Sequence, residues 1–291
     1  KDQGQYRGGP AYYIEKGIGV KWYAILFALA ALLAMSILMP GIQSNSIAIG
    51  MENAFGLERW ITGAAIVVIL GIIILGGVKR IAHVAQLVVP FMAIAYMLMA
   101  IVIIGMNITE LPGVISLIFS SAFGFDSTFG GMVGAAIAWG VKRGIYSNEA
   151  GQGTGPHAAA AAEVSHPAKQ GLVQAFSVYI DTLLVCSATA FMILFTGMYN
   201  VQLDDGDGAF VVENLPDVEA GPGYTQAAID LALPGTGIGE SFVAIALFFF
   251  AFTTIMAYYY MAETNVAYLL KGNAEKIGIF VRKIVVRVTA F

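Results

Sequence analysis

Long stretches of this chain carry no charged side chain. Tyr23–Met51, Trp60–Val78, Ile81–Thr109 and Ser241–Ala262 hold no Asp, Glu, Lys or Arg, and Asp181 is the only one between Gly171 and Leu203. Each stretch supplies the roughly 20 apolar residues that a helix needs to cross about 30 Å of hydrocarbon. Several are apolar all round, whereas a helix on the surface of a soluble domain has one wet face. Composition agrees: the chain is 58% hydrophobic and 12% charged, against about 25% charged in an ordinary soluble domain. The expectation is an all-α integral membrane protein.

Six crossings and part of a seventh are expected, at Lys21–Gly50, Trp60–Gly77, Val84–Met106, Gly130–Glu163, Lys169–Tyr199 and Glu240–Leu270, with another starting near Ile277 and running to Phe291. The chain opens in a polar loop without an initial Met and ends inside an apolar run, so it reads as one transmembrane domain over residues 1–291 and an internal fragment of a longer transporter. Lys1, Arg7, Lys16, Lys21, Lys79, Arg80, Lys169, Lys271 and Lys276 fall on one side of alternating crossings, and Arg59 on the other. Basic loops stay in the cytoplasm, which orients the chain in the cell membrane. Residues 200–239 then form an outer loop, with Asp204, Asp205, Asp207, Glu213, Asp217, Glu219 and Asp230 and no Lys or Arg. Its plain reading is a solvated cap.

One expected crossing is interrupted. Within GMVGAAIAWGVKRGIYSNEAGQGTGPHAAAAA, an apolar run gives way to Lys142, Arg143, Ser147, Asn148 and Glu149, followed by Gly151, Gly153, Gly155 and Pro156. Irregular backbone at membrane depth survives only against protein or a water-filled cavity. Two half-helices meeting at such a break present free amides and carbonyls, which bind a small zwitterion and its co-ions. The segment reads as part of a transporter substrate site. It is not a phosphate-binding loop, because GQGTG is followed by no GK[ST] and follows no strand.

Charges within spans cost about 2.5–3.5 kcal/mol each on insertion scales. Asp181 falls near mid-membrane and Glu149 in the break. Each is a candidate for ion or proton coupling or for contact with a substrate amine. Each could equally pair with Lys142 or Arg143, and Glu149 could cap half-helix amides. In the first span, Gln43 of PGIQSNS can both donate to and accept from an amino acid, or bond a neighbouring helix. Thr253 and Thr254 offer two oxygens to Na⁺, or bond back to their own helix, with Tyr258 one turn on. Cys186 is the single cysteine and reads as a packing residue, and His83, His157 and His166 have no companions at metal-ligand spacing. A net charge of −4 and bases at a membrane surface leave no nucleic-acid footprint. An intramembrane enzyme would need a base near Ser147, a second mid-span aspartate or a metal motif, and none is present. One broken helix with charged flanks favours occluded binding over an open channel.

GVKRGIYSNEAGQGTGPHAAAAAEVSHPAKQG followed by YIDTLLVC closely resembles the alanine or glycine:cation symporter family, and YRGGPAYYIEKGIG, PGIQSNS and FAFTTIMAYYYMAE match further segments of that family. The resemblance covers the chain outside the acidic loop. It implies a LeuT-type fold of two inverted five-helix repeats, with this chain supplying core helices three to eight and the start of nine. It also implies sodium-coupled symport of alanine or glycine, with no cofactor beyond the coupling Na⁺, and proton coupling as the alternative. By the same resemblance Gln43, Tyr146, Ser147, Asn148, Thr254 and Tyr258 face the substrate, and Thr253 and Thr254 face Na⁺. Tyr258 and Tyr146 stand where family members often carry Trp and Phe. Lipid surrounds the spans; the oligomeric state is not legible in the sequence.

Overall fold

The computed structural model describes residues 6–75, 77–123, 129–202 and 210–270. These residues are mostly helical. The expected seventh span from Ile277, the basic residues Lys1, Lys271 and Lys276, and the acidic residues Asp204, Asp205 and Asp207 lie outside them.

The chain begins with a short helix, α1 (Pro10–Tyr13), which widens into a π turn at Ile14–Ile18. α2 (Lys21–Leu33) passes through a second π turn, Ala34–Leu38, into α3 (Met39–Phe55), so that Lys21–Phe55 is one rod. Pro40 accounts for the wide turn. Its ring displaces the carbonyl four residues back, that of Ser36, and it has no N–H to return to it. α4 (Arg59–Ile74) follows, then α5 (Gly77–Met106), which carries Pro90 in its interior.

The next helix, α6 (Leu111–Phe123), is not among the expected crossings; it carries Pro112 and Gly113 in its first turn. Pro is well tolerated in a first helical turn, where its missing N–H has no partner to lose. The interrupted span is two helices, α7 (Phe129–Asn148) and α8 (Gly155–Ala161). α9 (Pro167–Tyr179) runs through a third π turn, Ile180–Cys186, into α10 (Ser187–Thr196). The Ser187 hydroxyl donates to the Thr182 carbonyl five residues back at 3.3 Å, a reach that suits the wider turn.

The stretch read as a solvated cap is more ordered than that. β1 (Asn200–Gln202) and β2 (Phe210–Glu213) pair antiparallel, and α11 (Pro222–Ala232) buries Gln226, Ala228, Ile229 and Ala232. Its acidic side chains hid an apolar stripe of helical spacing, Ala228, Ile229 and Ala232. The final described helix is α12 (Ile238–Leu269).

Among the described residues, four helices are long and apolar enough to cross a membrane: Lys21–Phe55, Lys79–Met106, Pro167–Thr196 and Ile238–Leu269. Arg59–Ile74 and Ile108–Phe123 are apolar but shorter. Of the four, α12 is the axis of the molecule, with 44% of its apolar window buried against 17–22% in the others. One face packs Phe252, Ile255, Met256 and Tyr259 against Ile47 of α3 and Ile66, Leu70 and Ile73 of α4. Nearer its start, Val243 and Ala246 join Tyr96 and Ile103 of α5, Met192 of α10 and Ile229 of α11. A third group sets Tyr258, Met261 and Ala262 on Met35 in the α2–α3 π turn.

Candidate functional site

The break in the fourth expected crossing is built by side chains that replace lost helix bonds. The Asn148 amide oxygen accepts from the Ala150 N–H at 2.9 Å, and the Gln152 amide donates to the Ile145 carbonyl at 3.0 Å. Each answers a group that a helix end leaves orphaned. Between them Glu149 adopts φ 57°, a left-handed conformation that costs a residue with a Cβ free energy. Such strain persists where the surroundings impose it, and functional sites are one such place.

A cavity of about 410 Å³ opens at this break. Ser147, Asn148 and Glu149 approach it from the end of α7, Gly155 and Ala158 from α8, and Thr253, Thr254, Ala257 and Met261 from α12. Ala85 and Val89 of α5 face it, and Gln174, Ser177 and Asp181 complete it from the α9–α10 rod. The last three were passed over or treated singly in the sequence, yet they stand at i, i+3 and i+7 and so mark one polar face of an otherwise apolar helix.

Asp181 occupies the third π turn and accepts from the Ser147 hydroxyl at 2.7 Å. The Cys186 sulfur lies 3.1 Å from the same hydroxyl oxygen, and the Asn148 amide donates to Thr182 Oγ1 at 3.0 Å. The alternative of a buried pair with Lys142 or Arg143 is not what forms. Among the described residues Asp181 has no ion pair, while Lys142 and Arg143 stand 5.0 and 5.4 Å from the Trp139 ring centroid. Glu149 likewise has no ion pair among the described residues.

Thr253 and Thr254 both donate to the Phe250 carbonyl, at 2.9 and 3.0 Å. This is the back-bonded arrangement that the sequence left open beside ion binding. The two are compatible. A hydroxyl whose hydrogen is spent on its own helix presents only lone pairs to the cavity, which is what a hard cation requires of an oxygen ligand.

The other expected substrate residues form a separate group. The Gln43 amide donates to the Tyr146 hydroxyl at 3.3 Å, linking α3 to α7, and the Tyr258 side chain interacts with both. Tyr258 is 4% exposed. None of the three lines the cavity, although Tyr146 and Ser147 are chain neighbours and Thr254 is one turn from Tyr258. The expected site is thus a cavity group of Ser147, Asn148, Glu149, Asp181, Thr253 and Thr254 with a partly buried polar group of Gln43, Tyr146 and Tyr258 beside it.

The sequence pattern of the sodium:alanine symporter family matches residues 1–291. YrbD of Bacillus subtilis (strain 168) is 69% identical over 291 residues, covering 100% of this chain and 59% of that protein. The sodium/proton-dependent alanine carrier protein of Bacillus sp. (strain PS3) is 58% identical over 90% of this chain and 58% of its own length. The sodium/alanine symporter AgcS of Methanococcus maripaludis is 38% identical over 92% of this chain and 57% of its own length. The chain therefore spans less than two thirds of the length of these curated relatives.

Proposed function

The chain belongs to the sodium:alanine symporter family, a family of transporters, and from that premise we propose that it forms part of a carrier coupling Na⁺ entry to uptake of a small neutral amino acid, alanine or glycine. The observation that carries the reading is the cavity at the α7–α8 break, which faces the paired hydroxyl oxygens of Thr253 and Thr254. Free half-helix ends suit the charged ends of an amino acid, and the adjacent oxygens suit a hard cation. Ser147 and Asn148 would contact substrate directly. Gln43, Tyr146 and Tyr258 would shape the pocket from beside it. In a LeuT-type arrangement of inverted repeats, α2–α3 and α12 would be scaffold helices flanking this broken helix, and transport would rock one bundle against the other.

The test is uptake of radiolabelled alanine and glycine by the whole carrier in proteoliposomes, with a Na⁺, K⁺ or proton gradient imposed alone. Uptake on the Na⁺ gradient only is expected. Equal uptake on a proton gradient without Na⁺ would remove the sodium assignment.

A specific observation favours that second outcome enough to keep it. Asp181 lines the cavity with a hydroxyl and a thiol for company and no cation among the described residues. A carboxylate so placed can carry a proton between the two faces, and one close relative is named for both ions.

A further inference from the structure

Behind the cavity wall lies a buried pair that the symport reading does not use. His157 of α8 is 2% exposed and Asn265 of α12 is 1% exposed. The Asn265 amide nitrogen stands 2.9 Å from the Met261 carbonyl and 2.9 Å from His157 Nε2. An amide NH₂ only donates and a carbonyl only accepts. The Met261 carbonyl therefore fixes which end of the Asn265 amide points inward, and Nε2 must accept. The ring proton is then on Nδ1, donated to the Thr154 carbonyl at 3.1 Å. A single neutral tautomer satisfies every contact.

The ring is enclosed on each side. Phe27 of α2 stacks on it with centroids 6.3 Å apart and planes 18° apart. Gly9, at φ 131°, lies so close that a Cβ there would come within 2.6 Å of the ring, and a Cβ on Gly8 would come equally close to Ala160. The covering loop is tied down by Arg7, which donates to Glu263 at 3.1 Å. Titratable groups on the packed elements include Arg7 of the loop, Lys21 and Tyr23 of α2, Tyr258, Tyr260, Glu263 and Tyr268 of α12, and Glu149 of the break. The ring's own hydrogen-bond partners are the Thr154 carbonyl and the Asn265 amide, and Arg7 is paired with Glu263. Ala158, next to His157, and Met261, which binds Asn265, both line the cavity.

We propose that the His157–Asn265 pair, covered by Gly8–Pro10, is a proton-sensitive latch that clamps half-helix α8 to α12, so that protonation of His157 frees this side of the cavity wall. An imidazolium carries hydrogen on both nitrogens. Its Nε2–H would confront the Asn265 NH₂, two donors at 2.9 Å with no acceptor between them. The amide cannot turn to help, because its oxygen would then face the Met261 carbonyl. Asn265 Oδ1 is itself buried without a partner, a burden that opening to water would relieve. The latch holds while the ring is neutral and yields when it is charged.

Cys186 reports the opening, since its sulfur touches the cavity residue Ser147. The whole carrier, with any other cysteine replaced, is placed in membrane vesicles and treated with an impermeant methanethiosulfonate on the face that bears α1. Each labelling rate is divided by that of the same protein unfolded in detergent, which removes the pH dependence of the thiol. The ratio is expected to rise several-fold from pH 7.5 to pH 4.5 in the parent protein, a range carried well below the ordinary imidazole midpoint because the ring is buried, and to stay flat in His157→Gln and in Asn265→Ala. A flat ratio in the parent overturns the proposal without recourse to either variant. An undiminished rise in both variants overturns it as well. Labelling needs no substrate or gradient, so failure here leaves symport standing, and failure of uptake leaves the latch standing.

Discussion

Thr253 and Thr254 separate packing from ion binding in one experiment. Val keeps the shape of Thr and lacks its hydroxyl. The Phe250 carbonyl that both hydroxyls share sits within a continuous helix, so loss of either bond should cost stability about 1 kcal/mol or less. If the oxygens hold Na⁺, Thr253→Val or Thr254→Val should raise the Na⁺ needed for half-maximal uptake about tenfold or more, the equivalent of about 1.4 kcal/mol. Unchanged Na⁺ activation in both variants would confine these residues to the helix. Tyr258 needs a gentler change than Ala. It is buried among Met35, Met261 and Ala262, where truncation of an aromatic ring costs about 3–5 kcal/mol in packing alone. Tyr258→Phe removes only the hydroxyl. It and Gln43→Ala are expected to weaken alanine binding by about 0.5–1.5 kcal/mol, the size of one hydrogen bond lost from the group beside the cavity. Calorimetric titration giving parental affinity in both would take them out of the site.

At the scale of elements, the acidic segment before α12 is a brace. The Gln226 amide donates to the Gly50 carbonyl of α3 at 3.2 Å and to the Glu240 carbonyl of α12 at 3.1 Å, while its oxygen accepts from Asn53 at 2.9 Å. One side chain on α11 thus ties the end of α3 to the start of α12. Gln226→Ala would strand the Asn53 amide and open a small void. The expected loss is about 2–3 kcal/mol, within the range for orphaned buried polar groups, read as an earlier thermal unfolding midpoint in detergent. An unshifted midpoint would make α11 a passive cover. The π turns have a comparable positional role. The one at Ile180–Cys186 sets Asp181 beside Ser147 at 2.7 Å, and wide turns of this kind recur at functional sites.

For the molecule as a whole, the basic loops predict an orientation, and that arrangement is open to direct measurement. Lys169 and Glu219 are both exposed and fall on opposite sides of the expected membrane. A cysteine at Lys169 should react with an impermeant reagent only from the cytoplasmic face, and one at Glu219 only from outside. Reversed labelling would invert the assignment and with it the direction in which the His157–Asn265 latch faces. The cavity draws walls from five helices, with α12 central to them, so movement of α8 relative to α12 changes its shape directly.

Membrane residence, the main apolar spans and the break at Ser147–Gly155 were legible in the sequence, because each rests on the composition of a continuous window. Charge exclusion from hydrocarbon and the demand that backbone polar groups be satisfied act locally along the chain. α6 and α11 were not legible, since a proline in a first turn and a run of acidic side chains mimic loops when burial is unknown. The chemistry of Asp181 was undecidable for a different reason. Lys142 and Arg143 were the eligible partners by depth, and only the packing of α7 against the π turn brings the Ser147 hydroxyl to Asp181 instead. The His157–Asn265 pair lies 108 positions apart, so no window of sequence contains it. Its meaning depends on a third group, the Met261 carbonyl, which dictates the direction of every hydrogen bond. Residue types and their order determined which segments are apolar enough to cross a membrane; tertiary contact alone decided which polar groups meet among them, because a hydrogen bond is defined by distance in space rather than along the chain.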